Sequence, residues 1–399
     1  MIPEYNIDFR DPSYRSDPWN VYRQLHELGP VSRGPMGELI VVGHRECKQL
    51  LNDRKSIHKN PELALSMYPE GPFREHNAHT MTFMDPPEHT RVRRAASHAF
   101  TPRSLKQLTP AIEKITDELV ADISDRDAFD LVSDFAQPLP IYVICEMLGI
   151  PATEREMFKR CAHGVILGLE PGASPDLIES ANQSVLELTE ALEGHARAAA
   201  PDPEGSVLQK MLVVHNEDQL SWKELINQAI FLLNAGHETT STLLGHLART
   251  LLRERDLCSA LSQSGALTDN AIEETLRLHP PLHFGWRRVK APIELNGEEI
   301  PEGTMLTIML AAANRDPSVF ANPDIFDAER SNARDHIAFE VGIHTCLGAA
   351  LARLEARIAF DRLIPLLEKC EPSGEAIENE AVLFQGLASL PVRRARVIA

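Results

Sequence analysis

The chain has 399 residues, of which 43% are hydrophobic and 25% are charged, a composition typical of a globular protein with a large core. Its net charge of −18, from 40 basic and 58 acidic residues, argues against nucleic-acid binding. The six cysteines are scattered and form no CxxC pair, so they indicate neither a zinc site nor a disulfide framework. Because no apolar run is long enough to cross a bilayer, we expect a cytoplasmic protein with no membrane association. No linker or repeat interrupts the chain, which predicts a single domain over residues 1–399.

The N-terminal region predicts short elements followed by an irregular segment. Residues 17–28 are predicted to form a helix with Asp17 as its N-cap. Residues 31–42 alternate around a glycine-containing turn and predict a small hairpin, and residues 45–51 predict a short helix. Residues 56–80 have no clear periodicity and are typical of a binding loop.

A predicted helix that begins at Asp85 or Pro86 carries a histidine and an arginine on one face. His89 and Arg93 are four residues apart, so their side chains are neighbours. On residue chemistry alone, this face can equally be a solvated basic surface. Amphipathic helices are then predicted over residues 102–123, 134–149, 153–168 and 176–199.

The longest helical pattern runs over residues 221–249 and opens with the capping box Ser221–Glu224. Its apolar residues lie on more than one side, which predicts a centrally buried helix. Its middle reads Ala-Gly-His-Glu-Thr-Thr over residues 235–240, here called the acid–alcohol segment. A glycine, a charge and two β-branched alcohols disfavour a regular buried helix, so this segment is a candidate functional site.

The last third of the chain predicts a helix over residues 270–278, several short strands and another long helix. Glu274 and Arg277 are three residues apart and form an ordinary helical salt bridge on their own. The strands are predicted at residues 286–289, 292–295 and 305–310, the helix at 347–368 and a terminal hairpin at 382–397.

Between the last strands and that helix lies a glycine-containing loop with one cysteine. Gly342 and Gly348 permit tight turns or close approach of a flat ligand. Cys346 stands near the start of a helix, where free N–H groups and the helix dipole favour a thiolate. Such a thiolate can ligate a haem iron. Taken alone, the cysteine can also be a small buried hydrophobe.

Residues 339–348 fit the pattern F-x-x-G-x-H-x-C-x-G, and the chain therefore resembles the cytochrome P-450 family. The acid–alcohol segment fits the family's [AG]-G-x-[DE]-T motif. His89 with Arg93 fits its H-x-x-x-R arrangement, and Glu274 with Arg277 fits its E-x-x-R pair. One position departs from the family, because Glu340 stands where a small residue, often glycine, is usual.

The resemblance implies a mainly α fold with a small β-rich lobe. One haem b would lie between the long central helix and the helix following the Cys loop, with Cys346 as the metal ligand. Arg287 is the expected propionate partner and Arg288 the alternative. The cofactor-binding residues implied are His89, Arg93, Ala235, Gly236, Arg287, Phe339, Gly342, His344, Cys346 and Gly348.

The activity implied by the resemblance is monooxygenation, in which one oxygen atom of O2 enters a C–H bond. Glu238 and Thr239 would manage the protons, and in the family the helix is locally opened at this point. The chain has no reductase module, so electrons are expected from a ferredoxin and an NAD(P)H-dependent reductase. A mainly apolar small molecule is expected in a pocket lined by Met81, Met84, Phe231, Asn234, His283, Phe284 and Phe384.

Three alternatives stay open at this point. A peroxygenase of the same fold would use peroxide and no redox partner. A haem-binding gas sensor would need no proton-delivery pair, and an iron-free helical protein would make the ordered motifs a coincidence. The protein is expected to be a monomer.

Overall fold

The structure is a computed structural model that describes residues 2–6, 11, 14 and 17–395. The described chain divides into two compact units. Unit 1 comprises the described residues up to Asn60 together with Asn270–Cys346 and Glu380–Gln385. Unit 2 comprises Pro61–Asp269, Leu347–Asn379 and the described residues from Gly386 onward. That the whole chain is one catalytic domain stays a prediction.

Helices dominate the described chain, as the sequence predicts, and the strands are short. The helices are α1 Pro18–Leu28, α2 His44–Asn52, α3 Pro61–Ser66, α4 Pro72–Ala78, α5 Glu88–Ser97, α6 Pro102–Ser124, α7 Pro138–Leu148, α8 Arg155–Gly168, α9 Pro175–Ala198, α10 Val207–Asn216, α11 Trp222–Arg253, α12 Arg255–Gln263, α13 Gly265–Leu278, α14 Leu310–Ala313 and α15 Ala349–Leu367. The strands are β1 Val31–Arg33, β2 Leu39–Val41, β3 Ile57–His58, β4 Ala128–Asp130, β5 Gly285–Val289, β6 Ile293–Leu295, β7 Glu298–Ile300, β8 Met305–Ile308, β9 Cys370–Pro372, β10 Ile377–Glu378, β11 Leu387–Ser389 and β12 Pro391–Arg394.

Unit 1 contains a five-stranded sheet in the order β1-β2-β8-β5-β3. Strands β2 and β8 run parallel, with Leu39 opposite Leu306, and the other neighbours are antiparallel. Apolar side chains of β1, β2 and β8 form a buried cluster with Leu50 of α2 and Val289 of β5. This core holds β5 in a fixed register, and β5 carries the two arginines that the sequence analysis singled out.

The Glu274–Arg277 pair lies fully buried in unit 1. Arg277 donates from Nε and Nη2 to both carboxylate oxygens of Glu274, at 2.7 and 2.8 Å. Arg330 donates to the same carboxylate at 2.9 Å, so one acid serves two cations. The remaining guanidinium donors reach backbone oxygens, including that of Asn314 at 3.0 Å from Arg277. The segment that carries Arg330 thus packs against the pair.

Unit 2 is organised around α11. The capping box predicted at Ser221 is present, because Ser221 accepts from the Glu224 N–H and the Glu224 carboxylate accepts from the Ser221 N–H. Helix α11 packs against α7, α8, α9 and α15, and its side chains are buried along most of its length. The prediction of a central buried helix is confirmed. Among the described residues, no helix combines the length and apolar character needed to span a membrane.

Three local predictions were wrong. The segment 56–80, predicted to be irregular, contains β3 and the helices α3 and α4, and both helices begin at a proline, which is favoured in the first turn. Helix α10 was missed, although the capping box Ser206–Gln209 precedes it. The hairpin predicted over 382–397 does not form: β11 pairs with β10, and β12 pairs with β4 and β9. Residues 396 and 397 lie outside the described residues.

We expect Arg277→Ala to lower the free energy of unfolding by about 3–5 kcal/mol, because it leaves Glu274 buried with one cation fewer and frees several backbone acceptors. Urea unfolding followed by circular dichroism would measure the loss. The control is Arg334→Ala. The Arg334 side chain is 71% exposed, and its 4.0 Å distance from Glu273 is too long for a hydrogen bond. This variant should cost no more than about 0.5 kcal/mol. Equal losses in the two variants would contradict a structural role for the buried pair.

Candidate functional site

The loop of residues 337–346, here called the Cys346 loop, is folded by its own backbone. The Cys346 N–H donates to the Phe339 carbonyl oxygen at 2.8 Å, and the Glu340 N–H donates to that of Ile337 at 2.9 Å. Gly342 has a φ of +80°, and a Cβ there would lie 2.2 Å from the Leu51 carbonyl oxygen. Only glycine fits this close approach. The predicted role of Gly342 in shaping the loop therefore has a steric basis.

Cys346 is exposed, whereas the other five cysteines are buried. Burial raises the pKa of each buried thiol, for instance to about 12 at Cys145 and to about 11 at Cys161 and Cys258. A thiolate is thereby disfavoured at those five positions. Cys346 is the thiol best placed to act as a metal ligand. In chain order, α15 begins three residues later at Ala349, after its N-cap Gly348.

The two arginines of β5 have different partners. The Arg287 side chain is buried and donates from Nη2 to Oε2 of Glu340 at 2.5 Å. Arg288 points to the other face of the strand and donates to the Gly303 carbonyl oxygen at 3.0 Å. Arg287 is therefore the arginine next to the Cys346 loop, which favours it over Arg288 as the propionate partner. Glu340, the residue that departs from the family pattern, uses one of the hydrogen-bond donors of Arg287.

Two further residues of the loop are half-buried. Phe339 exposes part of its ring, and His344 ends a short 3-10 turn, Gly342–His344, two residues before Cys346. An apolar ring and an imidazole beside an exposed thiol suit a flat macrocycle with carboxylate side chains. The described residues hold no group of three or more His, Cys, Asp or Glu side chains that would bind a metal ion directly. One thiol suits an iron whose other ligands come from a macrocycle.

In unit 2, the acid–alcohol segment belongs to an uninterrupted helix. The resemblance implied a locally opened helix here, and this expectation was wrong for the structure described. Thr239 donates from Oγ1 to the Ala235 carbonyl oxygen at 2.9 Å, which keeps its hydroxyl within the helix. Ala235 is exposed and Thr239 is half-exposed, so this stretch of an otherwise buried helix has an open face. Packing explains the glycine at position 236, because a Cβ there would lie 2.8 Å from the Ile144 side chain.

Glu238 is the carboxylic acid of this segment. Burial, and then the charge of Glu170, raise the pKa of the Glu238 carboxyl to about 7. Two histidines lie near its Oε2, His163 at 4.0 Å and His237 at 3.9 Å. Burial lowers the pKa of both, that of His237 to about 3, so neither is a cation at neutral pH. Glu238 can therefore both bind and release a proton near pH 7.

The sequence analysis missed His163 and His237. His237 stands inside the acid–alcohol segment and could have been noticed there. His163 lies on α8, about 75 positions before Glu238, and no motif in the sequence links the two. Its side chain is half-exposed and its Nδ1 lies 4.0 Å from Oε2 of Glu238, too far for a direct hydrogen bond.

His89 and Arg93 share one face of α5, also in unit 2. His89 is buried and Arg93 is half-buried, so the face is not a solvated basic surface. The neighbouring exposed cation, Arg91, is paired with Glu224. The structure therefore leaves His89 and Arg93 as inward-facing residues suited to an anionic group.

The residues predicted to line a substrate pocket fall in both units. In unit 1, His283 is buried with Nδ1 2.8 Å from the Tyr22 hydroxyl, and Phe284 is fully buried against Trp286. Phe384 pairs with Leu282 through an isolated bridge. These contacts hold all three in place, and their role in a pocket stays a prediction.

In unit 2, Met81 and Met84 are buried, and Phe231 is half-buried on α11. Asn234 is buried, and its Oδ1 has no hydrogen-bond partner among the described residues. A buried amide oxygen without a partner costs free energy unless a ligand supplies a donor. Asn234 is therefore the strongest candidate among these residues for a polar contact with a substrate.

Comparisons with known proteins identify the family. The family model described as Cytochrome P450 matches residues 187–385. A protein of Bacillus subtilis (strain 168) named Cytochrome P450 is 35% identical over 393 residues, covering 95% of this chain and 95% of that protein. The 6-deoxyerythronolide B hydroxylase of Saccharopolyspora erythraea is 31% identical over 405 residues, covering 97% of this chain and 98% of that protein.

A similar solved structure is that of P450BioI in complex with an acyl carrier protein ligated to hexadec-9Z-enoic acid. It matches with a TM-score of 0.88 at 29% identity, covering 96% of this chain and 100% of that one. The predicted fold class is confirmed by this likeness. With relatives above 30% identity along almost its entire length, the chain belongs to the cytochrome P450 family and is a haem-dependent monooxygenase.

Proposed function

We propose that the protein hydroxylates a mainly apolar small organic molecule, with Cys346 as the thiolate ligand of its haem b. The observation that carries this proposal is the one exposed thiol among the six cysteines, held in a glycine-shaped loop. When bound, the haem supplies reductive activation of O2, and its thiolate ligand pushes electron density toward O–O cleavage. Overall, substrate C–H, O2, two electrons and two protons give the C–OH product and water.

The chain's own residues are proposed to hold the cofactor's carboxylates. In unit 1, Arg287 and His344 are proposed to neutralise a haem propionate. For His89 and Arg93 of unit 2, the same role is what the family resemblance implies. Hydrogen bonds between a guanidinium and a carboxylate are stronger than those between neutral groups. Arg287 is buried, and its electrostatic attraction to an anion is stronger there than in water. Ala235 leaves the open face of α11 without a bulky side chain.

Protons are proposed to pass along the acid–alcohol segment. The hydrogen of the Thr239 hydroxyl is committed to the Ala235 carbonyl oxygen, so the oxygen lone pairs of Thr239 can accept a hydrogen bond and orient a water. Glu238 binds a proton and passes it on, because its pKa lies at about 7. His163 is half-exposed and lies 4.0 Å from Glu238 Oε2, which supports it as the contact to bulk solvent.

The substrate class is proposed from the apolar side chains of Met81, Met84 and Phe231 and from Asn234. The Oδ1 atom of Asn234 favours a substrate that offers one hydroxyl or N–H donor. The proteins named above include a 6-deoxyerythronolide B hydroxylase and P450BioI in complex with an acyl carrier protein that carries hexadec-9Z-enoic acid. We propose a molecule of the same general character.

Electrons are proposed to come from a ferredoxin reduced by an NAD(P)H-dependent reductase. In unit 2, the exposed cations Arg94 and Lys106 have no ion pair among the described residues. Nearby arginines of the same unit are neutralised, Arg91 by Glu224 and Arg103 by Glu204. On a chain with a net charge of −18, we propose Arg94 and Lys106 as two of the cations that meet an acidic ferredoxin.

The thiolate assignment predicts that Cys346→His retains some haem but loses both the thiolate-type carbon monoxide spectrum and the oxygenase activity. The physical reason is that an imidazole cannot supply the electron density of a thiolate. Difference spectroscopy of the reduced protein with carbon monoxide measures the outcome. The control, Cys258→Ala, removes a buried thiol and should keep the spectrum. Survival of the thiolate-type spectrum in Cys346→His would show that another cysteine is the ligand.

The proposed proton route predicts different kinetic effects for Thr239 and Glu238. Thr239→Ala should keep haem, substrate affinity and NAD(P)H consumption, yet release most of the reduced oxygen as hydrogen peroxide. Glu238→Gln should slow turnover by about 100-fold, because it removes the group that binds and releases protons. Product formed per NAD(P)H oxidised, with peroxide titrated in parallel, measures both effects. Thr240→Ala is the control, since Thr240 is buried and should couple almost normally. A fully coupled Thr239→Ala enzyme would contradict the assignment.

The raised pKa of Glu238 also predicts a pH-dependent stability. Between pH 4.5 and about 7 the folded protein holds this proton while the unfolded chain loses it, so Glu238 lowers stability progressively as pH rises through this range. Glu238→Gln should therefore stabilise the protein by about 2–3 kcal/mol more at pH 8 than at pH 5. Urea unfolding of the holoprotein at both pH values measures the difference. Glu190→Gln, which alters an exposed residue of α9, should show no such difference between the two pH values.

A further inference from the structure

Glu340 has a backbone conformation that a glutamate rarely adopts. Its φ is +52°, in the left-handed region that favours glycine, and the family resemblance implies a small residue, often glycine, at this position. A side chain other than glycine costs about 1–2 kcal/mol there. Strain of this kind persists where the surrounding structure compensates for it, and it is concentrated at functional sites.

The strained residue forms a buried ion pair within unit 1. Oε2 of Glu340 accepts from Nη2 of Arg287 at 2.5 Å, and both side chains are about nine-tenths buried or more. Gly285, on the same face of β5 as Arg287, leaves room for it: a Cβ at Gly285 would lie 3.3 Å from Oε1 of Glu340. Three positions on two segments thus accommodate this carboxylate.

The pair keeps the carboxylate charged. Burial alone would raise the pKa of the Glu340 carboxyl, but Arg287 and then Lys59 lower it below its ordinary value. A full negative charge therefore lies in a low-dielectric part of unit 1, where charges interact more strongly than in water.

Arg287 has donors left over. A guanidinium carries five N–H donors. Among the described residues, Nη1 donates to the Trp286 carbonyl oxygen at 2.9 Å and Nη2 to Glu340. The remaining donors allow Arg287 to bind a second anion while it holds Glu340.

Glu340 belongs to the same hydrogen-bonded loop as Cys346. It follows Phe339, whose carbonyl oxygen accepts from the Cys346 N–H at 2.8 Å. The Glu340 backbone is therefore directly bonded to a residue that is hydrogen-bonded to Cys346, the proposed iron ligand. A negative charge at this place opposes the addition of an electron to a metal held by Cys346.

We propose that Glu340 is a charge-setting residue of the haem site: Arg287 bridges the Glu340 carboxylate and one haem propionate, so that two anions share one cation. The site then carries one negative charge more than a site with glycine at this position, and the haem has a lower reduction potential. This inference rests on the proposed function, because it requires a haem ligated by Cys346. Glu340 acts through Arg287 and through its charge, and it is a positioning residue.

The test is the midpoint potential of the ferric–ferrous couple, measured by spectroelectrochemistry on the holoprotein. Glu340→Gln removes the charge and keeps the size, while Glu340→Gly removes the charge and suits the positive φ. Both should raise the equilibrium constant for one-electron reduction by about tenfold, which corresponds to 59 mV. Glu299→Gln is the matched control, because this glutamate lies exposed on β7 of the same unit and its charge is screened.

The outcomes separate the explanations. Equal shifts in the two Glu340 variants, with none in Glu299→Gln, support the charge-setting role. A shift in Glu340→Gly alone would make the effect one of loop geometry and overturn the proposal, as would unchanged potentials in both. If Glu340→Gln fails to fold, Glu340→Gly is compared with Glu340→Asp, which keeps the charge. A raised potential in Glu340→Gly and an unchanged potential in Glu340→Asp then support the charge-setting role. A wild-type protein without a thiolate-type carbon monoxide spectrum would instead overturn the proposed function itself.

Discussion

A single buried carboxylate fixes the segment that presents the thiol. Glu274 accepts from Arg277 and Arg330, and Arg277 also donates to the Asn314 carbonyl oxygen. The Asn314 side chain then accepts from the Ile337 N–H at 2.7 Å, at the first residue of the Cys346 loop. From there the loop's own hydrogen bonds lead to Cys346. A polar network thus connects the buried carboxylate to the loop, and Ile337 and Val341 add apolar packing against the core of unit 1.

Buried carboxylates of this protein differ in charge because their surroundings differ. Glu340 faces Arg287 and stays ionised, whereas burial and the charge of Glu170 raise the pKa of Glu238 to about 7, and the two histidines nearest its carboxylate are neutral. Glu355, buried on α15 without a cation, has a pKa raised well above its ordinary value. Residue type therefore does not decide the role of a carboxyl group; the presence or absence of a cation does. A fixed charge suits an electron-transfer site, and a titrating carboxyl suits proton transfer.

Local patterns predicted the helices well and the long-range pairings poorly. The capping box at Ser221 and the apolar residues that follow are sufficient to predict α11, because both signals lie within one helix. The pairing of β12 with β4 joins residues more than 250 positions apart, and a strand of four residues gives no indication of such a partner. The site shows the same division. Cys346, Glu238 and Thr239 follow from motifs, whereas the proximity of His163 to Glu238 depends on how α8 packs against α11.

Glu340 is informative because it contradicts a local rule. A sequence that folds to one structure usually agrees with local preference at each position, and exceptions need a compensating gain. The gain at Glu340 cannot be the ion pair alone, since a buried pair returns little net stability after both charges are desolvated. A glycine would fit the backbone, and a propionate could then pair with Arg287 alone. A strained, desolvated glutamate is therefore better explained by what its charge does to the haem site than by the stability of the loop.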